Sequence, residues 1–186
     1  MKYVIGCDIG SQSLKALLIS EQGKVSGESS ASYSIEYPQP TWAEQSPELW
    51  VGALIKAIRE LVTKLGIPPR DIVAIGLDAQ VDGVVAVDAG GKALHPAIIW
   101  MDRRAVPQCE VAGRQMSQDA VFKITGLNLD PYHVAPKIRW LADNEPRLFG
   151  QTAHFLLPGS YVALALTGEL GVDYSNASST LLMDVR

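Results

Sequence analysis

The sequence predicts an α/β domain with a mixed sheet flanked by helices. Three observations carry this. The apolar segments "YVIGCDI" (3–9) and "LKALLI" (14–19) come first, joined by a short turn. A long amphipathic segment follows at 46–66. From residue 72 onward, apolar strand-like runs alternate with helical ones.

Residues 3–9 and 14–19 are rich in Val, Ile and Leu, as strands are. Gly10-Ser11-Gln12-Ser13 turns the chain between them, "EQGK" (21–24) turns it again, and 25–33 is a third, more polar strand. The start is thus an antiparallel meander. In "SPELWVGALIKAIRELVTKLG" (46–66), Ser46 suits the N-cap and Pro47 the first helical position. Trp50, Ala53, Leu54, Ala57, Ile58, Leu61 and Leu65 then recur at helical spacing up to Gly66. "IVAIGLD" (72–78) is a continuous apolar run and is expected to be a buried strand. A strand, a Gly-Gly turn and the start of another strand follow in "GVVAVDAGGKAL" (83–94), and "PAIIW" (96–100) continues the theme. Helices are expected at about 103–118, 133–143 and 159–166, and a short strand at 153–158.

The totals exclude several classes. The 186 residues can bury one core of good size. The net charge is −4 and no Lys/Arg cluster stands out, which argues against a nucleic-acid or anionic-membrane surface. Cys7 and Cys109 are too few and too far apart for a disulfide framework or a zinc site, and are expected to be reduced. The N-terminus lacks a signal-peptide pattern, and no apolar run approaches the ~20 residues that cross a bilayer. "STLLMDVR" stops soon after an apolar run, so the chain is expected to be one lobe of something longer.

Four stretches carry candidate chemistry. Asp8 lies inside an apolar strand, where a buried, unpaired carboxylate would be costly. Spacing leaves two readings open. Asp8 faces a metal or phosphate, with Gly10, Ser11 and Ser13 allowing close approach and Lys15 adding charge; or the turn is an ordinary hairpin. No P-loop or dinucleotide-binding glycine pattern is present. In "LDAQVDGVV" (77–85), Asp78, Gln80 and Asp82 stand between apolar strands and suit a hydroxylated ligand, the alternative being a polar loop. In "IIWMDRRA" (98–105), Trp100 offers a flat face for the C–H side of a sugar, with Asp102, Arg103 and Arg104 beside it. The alternative there is a core Trp and a solvated Arg-Arg helix start. In "TGLNLDPYHVAPKIRWLADNEP" (125–146), Tyr132 follows an Asp-Pro turn, as a hydroxyl aimed at a ligand or as a packing ring. His133 is expected at a surface or helix start, and His95 and His154 form no metal-spaced pattern.

In this order the stretches resemble the N-terminal half of the FGGY family of carbohydrate kinases. "DIGSQSLK" (8–15) is similar to the family's first phosphate motif, shared with the sugar kinase, heat-shock ATPase and actin superfamily. "YHVAPKIRWLADN" (132–144) resembles the first family signature, with Lys137, Trp140 and Asn144 in place and Val134 departing from it. "TWAEQSPELW" (41–50) and "LLPGSYVALALTGEL" (156–170) look most like xylulokinases, and "DYSNASSTLLMDV" (173–185) suits several members. The resemblance covers essentially the whole chain.

It implies a ribonuclease-H-like fold and ATP-dependent phosphorylation of a sugar or polyol hydroxyl, D-xylulose first, with glycerol, ribulose, gluconate or another polyol as alternatives. A non-catalytic sugar-binding or regulatory module is the rival. By resemblance, Asp8 helps place Mg²⁺ and the phosphates of ATP, Gly10, Ser11, Gln12, Ser13 and Lys15 lie near the transferred phosphate, and Gln80, Val81, Asp82, Trp100, Asp102 and Tyr132 line the sugar site. Xylulokinases usually carry Gln-Met-His-Gly where this chain has Gln80-Val81-Asp82-Gly83. Residues 1–186 would be the sugar-binding N-terminal domain. The catalytic base and the adenine pocket would lie in a C-terminal domain, so residues 1–186 alone are expected to be inactive. The complete protein is expected to be a cytoplasmic homodimer that binds neither nucleic acid nor membrane.

Overall fold

The computed structural model describes residues 1–186, which fall into two compact units: Met1–Ile35 with Glu48–Gln80, and Glu36–Pro47 with Val81–Arg186. In the first, β1 (Tyr3–Ile9), β2 (Ser13–Ser20) and β3 (Val25–Ser32) form the expected meander, and α1 spans Pro47–Leu65. β5 (Ile72–Ala79) then adds to the sheet, whose order is β3-β2-β1-β5. β1 runs antiparallel to β2 and parallel to β5, so the sheet is mixed.

One face of the meander supplies the core. Ile5, Cys7, Ile9, Leu14, Ala16 and Leu18 are buried, as are Trp50, Leu54, Ala57 and Leu61 of α1. The alternate residues point the other way: Val4, Asp8, Lys15 and Leu17 are exposed. This period of two corrects the premise that Asp8 is buried. It sits in an apolar sequence, but on the open face. β5 also departs from expectation. It is not a buried strand: Val73 is 59% and Ile75 44% exposed. It is the edge strand, and an apolar run specifies a strand without specifying what packs on it.

The second unit contains β4 (Glu44–Gln45) paired with β7 (Ala97–Ile98), and β6 (Val85–Val87) paired with β8 (His154–Leu156). Its helices are α2 (Val106–Gln115), α3 (Gln118–Thr125), α4 (Val134–Asn144), α5 (Pro146–Gln151), α6 (Pro158–Thr167) and α7 (Tyr174–Ser178). The expected helix at 103–118 is therefore shorter, and α3, α5 and α7 are additional. Their local signals are legible afterwards: Ser117 caps α3 through the Ala120 N–H, Pro146 opens α5, and Asp173 caps α7 through the Asn176 N–H. Val84, Ile98, Val134, Trp140, Leu141 and Leu157 form the core, with Trp42, Ile138 and Phe155 packed on it. Gly83 is forced by this packing, since a Cβ there would lie 2.7 Å from Pro158 Cγ. No helix is long and apolar enough to cross a membrane.

Candidate active site

In the first unit, strand register sets the chemistry. Asp8 pairs with Lys15 on β2 and with Asp78 on β5, so the three side chains share one sheet face. They line a depression of about 880 Å³ together with Gly6, Ser30 and Leu77. Beyond β1 the chain makes the tight turn that the sequence predicts. The Gly10 N–H donates to Ser13 O at 3.0 Å, and a Cβ at Gly10 would also sit 3.0 Å from that oxygen. Ser11 and Ser13 are half-buried and Gln12 is exposed. Gln80 ends this unit, its N–H donating to Ile9 O at 2.8 Å.

Sequence reasoning missed Tyr33. Its hydroxyl donates to Gly10 O at 2.6 Å and its N–H to Gln12 O at 3.0 Å, so it holds the turn from behind. Burial first, then the charge of Asp8, pushes this hydroxyl well above its ordinary range. Burial likewise raises the Cys7 thiol to about 11; neither Cys7 nor Cys109 is in a disulfide.

In the second unit, Asp82, Trp100 and Tyr132 come together although they are far apart in sequence. Trp100 is 37% exposed and meets Tyr132 edge-to-face, with centroids 6.1 Å apart. It is therefore not a core tryptophan. The Tyr132 hydroxyl is pushed up to about 12 by burial and then by the Asp82 carboxylate. Asp82 is buried, with φ +53°, a left-handed conformation that a non-glycine residue adopts only at some cost. Its Oδ1 accepts from Ser179 Oγ at 3.1 Å and lies 3.5 Å from His133 Nδ1, while Oδ2 is buried without a hydrogen-bond partner. Val81 is exposed beside it. His133 does begin a helix, as expected, but it is buried rather than on the surface. Ser179, like His133, carried no sequence signal for this site.

Asp102 is placed differently from the expectation. It is fully buried, and its two oxygens accept from Arg104 and from the Ala43 N–H, at 2.6 Å for the latter. With both oxygens held inside the protein, it supports the Trp100 loop instead of lining a ligand site. Arg104 is no solvated helix start either. Its guanidinium lies 3.7 Å from the Trp42 ring centroid and 2.6 Å from Glu44 Oε1. Arg103 is the solvated member, 2.7 Å from Asp130.

Lys137 was legible only as part of a resembling signature, and the structure gives it a place. It occupies the apolar face of α4 with Val134 and Leu141, wholly buried. A lysine at an apolar helical position was the available signal.

Residues 3–186 match the N-terminal domain of the FGGY family of carbohydrate kinases. The chain is 37% identical over its whole length to the xylulose kinase of Bacillus subtilis (strain 168), and covers 37% of that protein. It is 35% identical to the glycerol kinase of Halorhodospira halophila (strain DSM 244 / SL1), over 99% of this chain and 38% of that one. Among solved structures, a xyloylose kinase from Brucella ovis superposes with a TM-score of 0.92 at 34% identity, over 98% of this chain and 38% of the other. The chain thus spans little more than a third of the length of the relatives it matches. With a family match over residues 3–186 and relatives aligned end to end with this chain, the chain belongs to the FGGY family of carbohydrate kinases.

Proposed function

We propose that residues 1–186 are the sugar-binding N-terminal domain of an ATP-dependent kinase that converts D-xylulose to D-xylulose 5-phosphate. The observation that carries the sugar reading is the Trp100–Tyr132 pair beside the buried carboxylate of Asp82. Aromatic faces take the C–H side of a sugar and a buried carboxylate takes a hydroxyl donor. The likeness to xylulose kinases supports D-xylulose. A second substrate, glycerol, ribulose, gluconate or another polyol, follows if Asp82, standing where xylulokinases usually carry histidine, selects differently.

The phosphate end rests on Asp8, Lys15 and the Gly10 turn. These residues fit a metal-bound phosphate. Asp8 is an exposed carboxylate, Lys15 an ammonium group on the same sheet face, and Gly10 leaves the turn clear of a side chain. Asp8 would hold Mg²⁺, with Gly10, Ser11, Gln12, Ser13 and Lys15 around the phosphates. Mg²⁺, when bound, supplies charge neutralisation. This domain contributes by holding the sugar hydroxyl and the phosphate site in place, which is where most of the catalysis of such transfers lies. The proton-accepting carboxylate and the adenine site belong, in this reading, to a C-terminal domain outside residues 1–186. The complete enzyme would be a cytoplasmic homodimer.

The test is phosphate transfer from ATP to a panel of ketoses and polyols by the full-length protein. D-xylulose is expected to have the highest kcat/KM. Asp8→Ala is expected to abolish turnover while changing unfolding stability by less than ~0.5 kcal/mol, because Asp8 is exposed. No turnover across the panel refutes the reading.

A further inference from the structure

Lys137 is the only lysine with a buried side chain. Its Nζ donates to the carbonyl oxygen of Asp82 at 2.6 Å and to that of Tyr132 at 2.7 Å. The two acceptors lie 50 positions apart in sequence, both in irregular loops where no helix or strand partner takes them up. Asp82 and Tyr132 are two of the three residues on which the proposed sugar site is built. The same Nζ stands 5.9 Å from the Tyr132 ring centroid.

A charged amine has reason to be expelled from such a place. Desolvation dominates and lowers Lys137 to about 7, against the opposing pull of Asp82 and Asp102; Arg104 and Arg103 lower it further. A neutral amine still carries two N–H donors, matching the two carbonyls. An apolar side chain of the same length would take this donor from both carbonyls, the buried one of Asp82 and the part-buried one of Tyr132. It would also release Asp82, whose left-handed φ must be held by its surroundings.

We infer that Lys137 is a positioning residue: by tying the Asp82 and Tyr132 main chains to α4, it sets the spacing of the groups that grip the sugar. It does not touch the sugar itself. The link to sugar rests on the function proposed above; the clamp rests on the two hydrogen bonds alone.

The experiment uses the full-length protein with K137M and K137Q. Steady-state kinetics give kcat and the KM for sugar and for ATP separately. Hydrogen exchange of peptides covering 80–84 and 130–133 is followed in the same samples. K137M is expected to raise the sugar KM by at least ~10-fold, with the ATP KM within about twofold, because one substrate's loops are displaced and not the other's. K137Q, which keeps an NH₂ donor, is expected to fall between K137M and wild type. It carries the test if K137M does not fold. Exchange is expected to quicken in both segments together, with β1–β3 unchanged. Equal effects on both KM values, or kinetics like wild type, overturn the inference while leaving the functional reading intact. If the wild-type protein turns over no sugar, the functional reading falls. The exchange data then decide the clamp, and unchanged protection in either segment overturns it.

Discussion

Asp102→Ala is the sharpest probe of the second unit. Asp102 and Arg104 both have 0% side-chain exposure. Asp102 Oδ2 accepts from the Ala43 N–H at 2.6 Å and from Arg104 Nη2 at 2.8 Å; Oδ1 accepts from the Arg104 N–H at 2.9 Å. Alanine removes all of these. It strands two backbone donors, the N–H groups of Ala43 and Arg104, and leaves a buried guanidinium with Glu44, 2.6 Å away, as its remaining counter-charge. Removing one partner of a buried pair costs ~3–5 kcal/mol. Because Glu44 stays, the expected loss is at the lower end, ~3 kcal/mol. Urea unfolding of the full-length protein, followed by tryptophan fluorescence, reads it. Three of the four tryptophans within residues 1–186, Trp42, Trp100 and Trp140, belong to this unit, and Trp42 lies against Arg104. The double variant Asp102→Ala/Arg104→Met removes the guanidinium that Asp102→Ala strands, so its loss is expected to fall short of the sum of the two single losses, with Glu44 losing its guanidinium partner wherever Arg104 is removed. A loss below ~1 kcal/mol for Asp102→Ala, or strict additivity in the double variant, would refute the account of Asp102 as an internal support.

Other consequences can be measured in parallel. Lys137 loses its proton at about 7 in the fold but holds it to ~10.4 when unfolded, so the unfolded state binds more protons between these values. The penalty for the charged amine is thus fully present below pH 7. Stability should rise from pH 7 to about 10 by up to ~1.4 kcal/mol per pH unit, and K137M should flatten that slope in pH-dependent urea melts. Gly10→Ala places a Cβ 3.0 Å from Ser13 O. It should lower kcat by at least ~10-fold with the sugar KM within twofold, a split that steady-state kinetics resolves. Tyr33→Phe removes the 2.6 Å bond to Gly10 O, and should cost ~1 kcal/mol in denaturant unfolding and quicken amide exchange at 10–13.

Much of the architecture is written locally. The meander of β1, β2 and β3, the helix α1 and the strand β5 follow from alternation, helical spacing and punctuation by Gly and Pro, and each stands within one or two residues of its expected bounds. The short helices α5 and α7 leave no period in the sequence, because a single turn or two carries too few positions for one to show. The identities of Asp8, Gly10, Asp82, Trp100 and Tyr132 as site candidates were also legible, through an ordered resemblance more than through any one spacing.

Burial was not legible, because it depends on what arrives from elsewhere in the chain. Asp8 looked buried and is exposed, since strand alternation turns it to the open face. The run at 72–78 looked buried and is open, since an edge strand has a neighbour on one side only. Arg104 looked solvated, yet Trp42, Glu44 and Asp102 enclose it. Lys137 stands in the sequence only as a matching position of the family signature, and in the fold it joins two loops. The order of strands and helices can be read along the chain, because alternation, helical spacing and turn residues act over a few positions. Which charges are solvated and which are enclosed emerges only when distant segments pack together. The free energy of a charge is set by the dielectric and the partners around it, and those come from residues tens of positions apart.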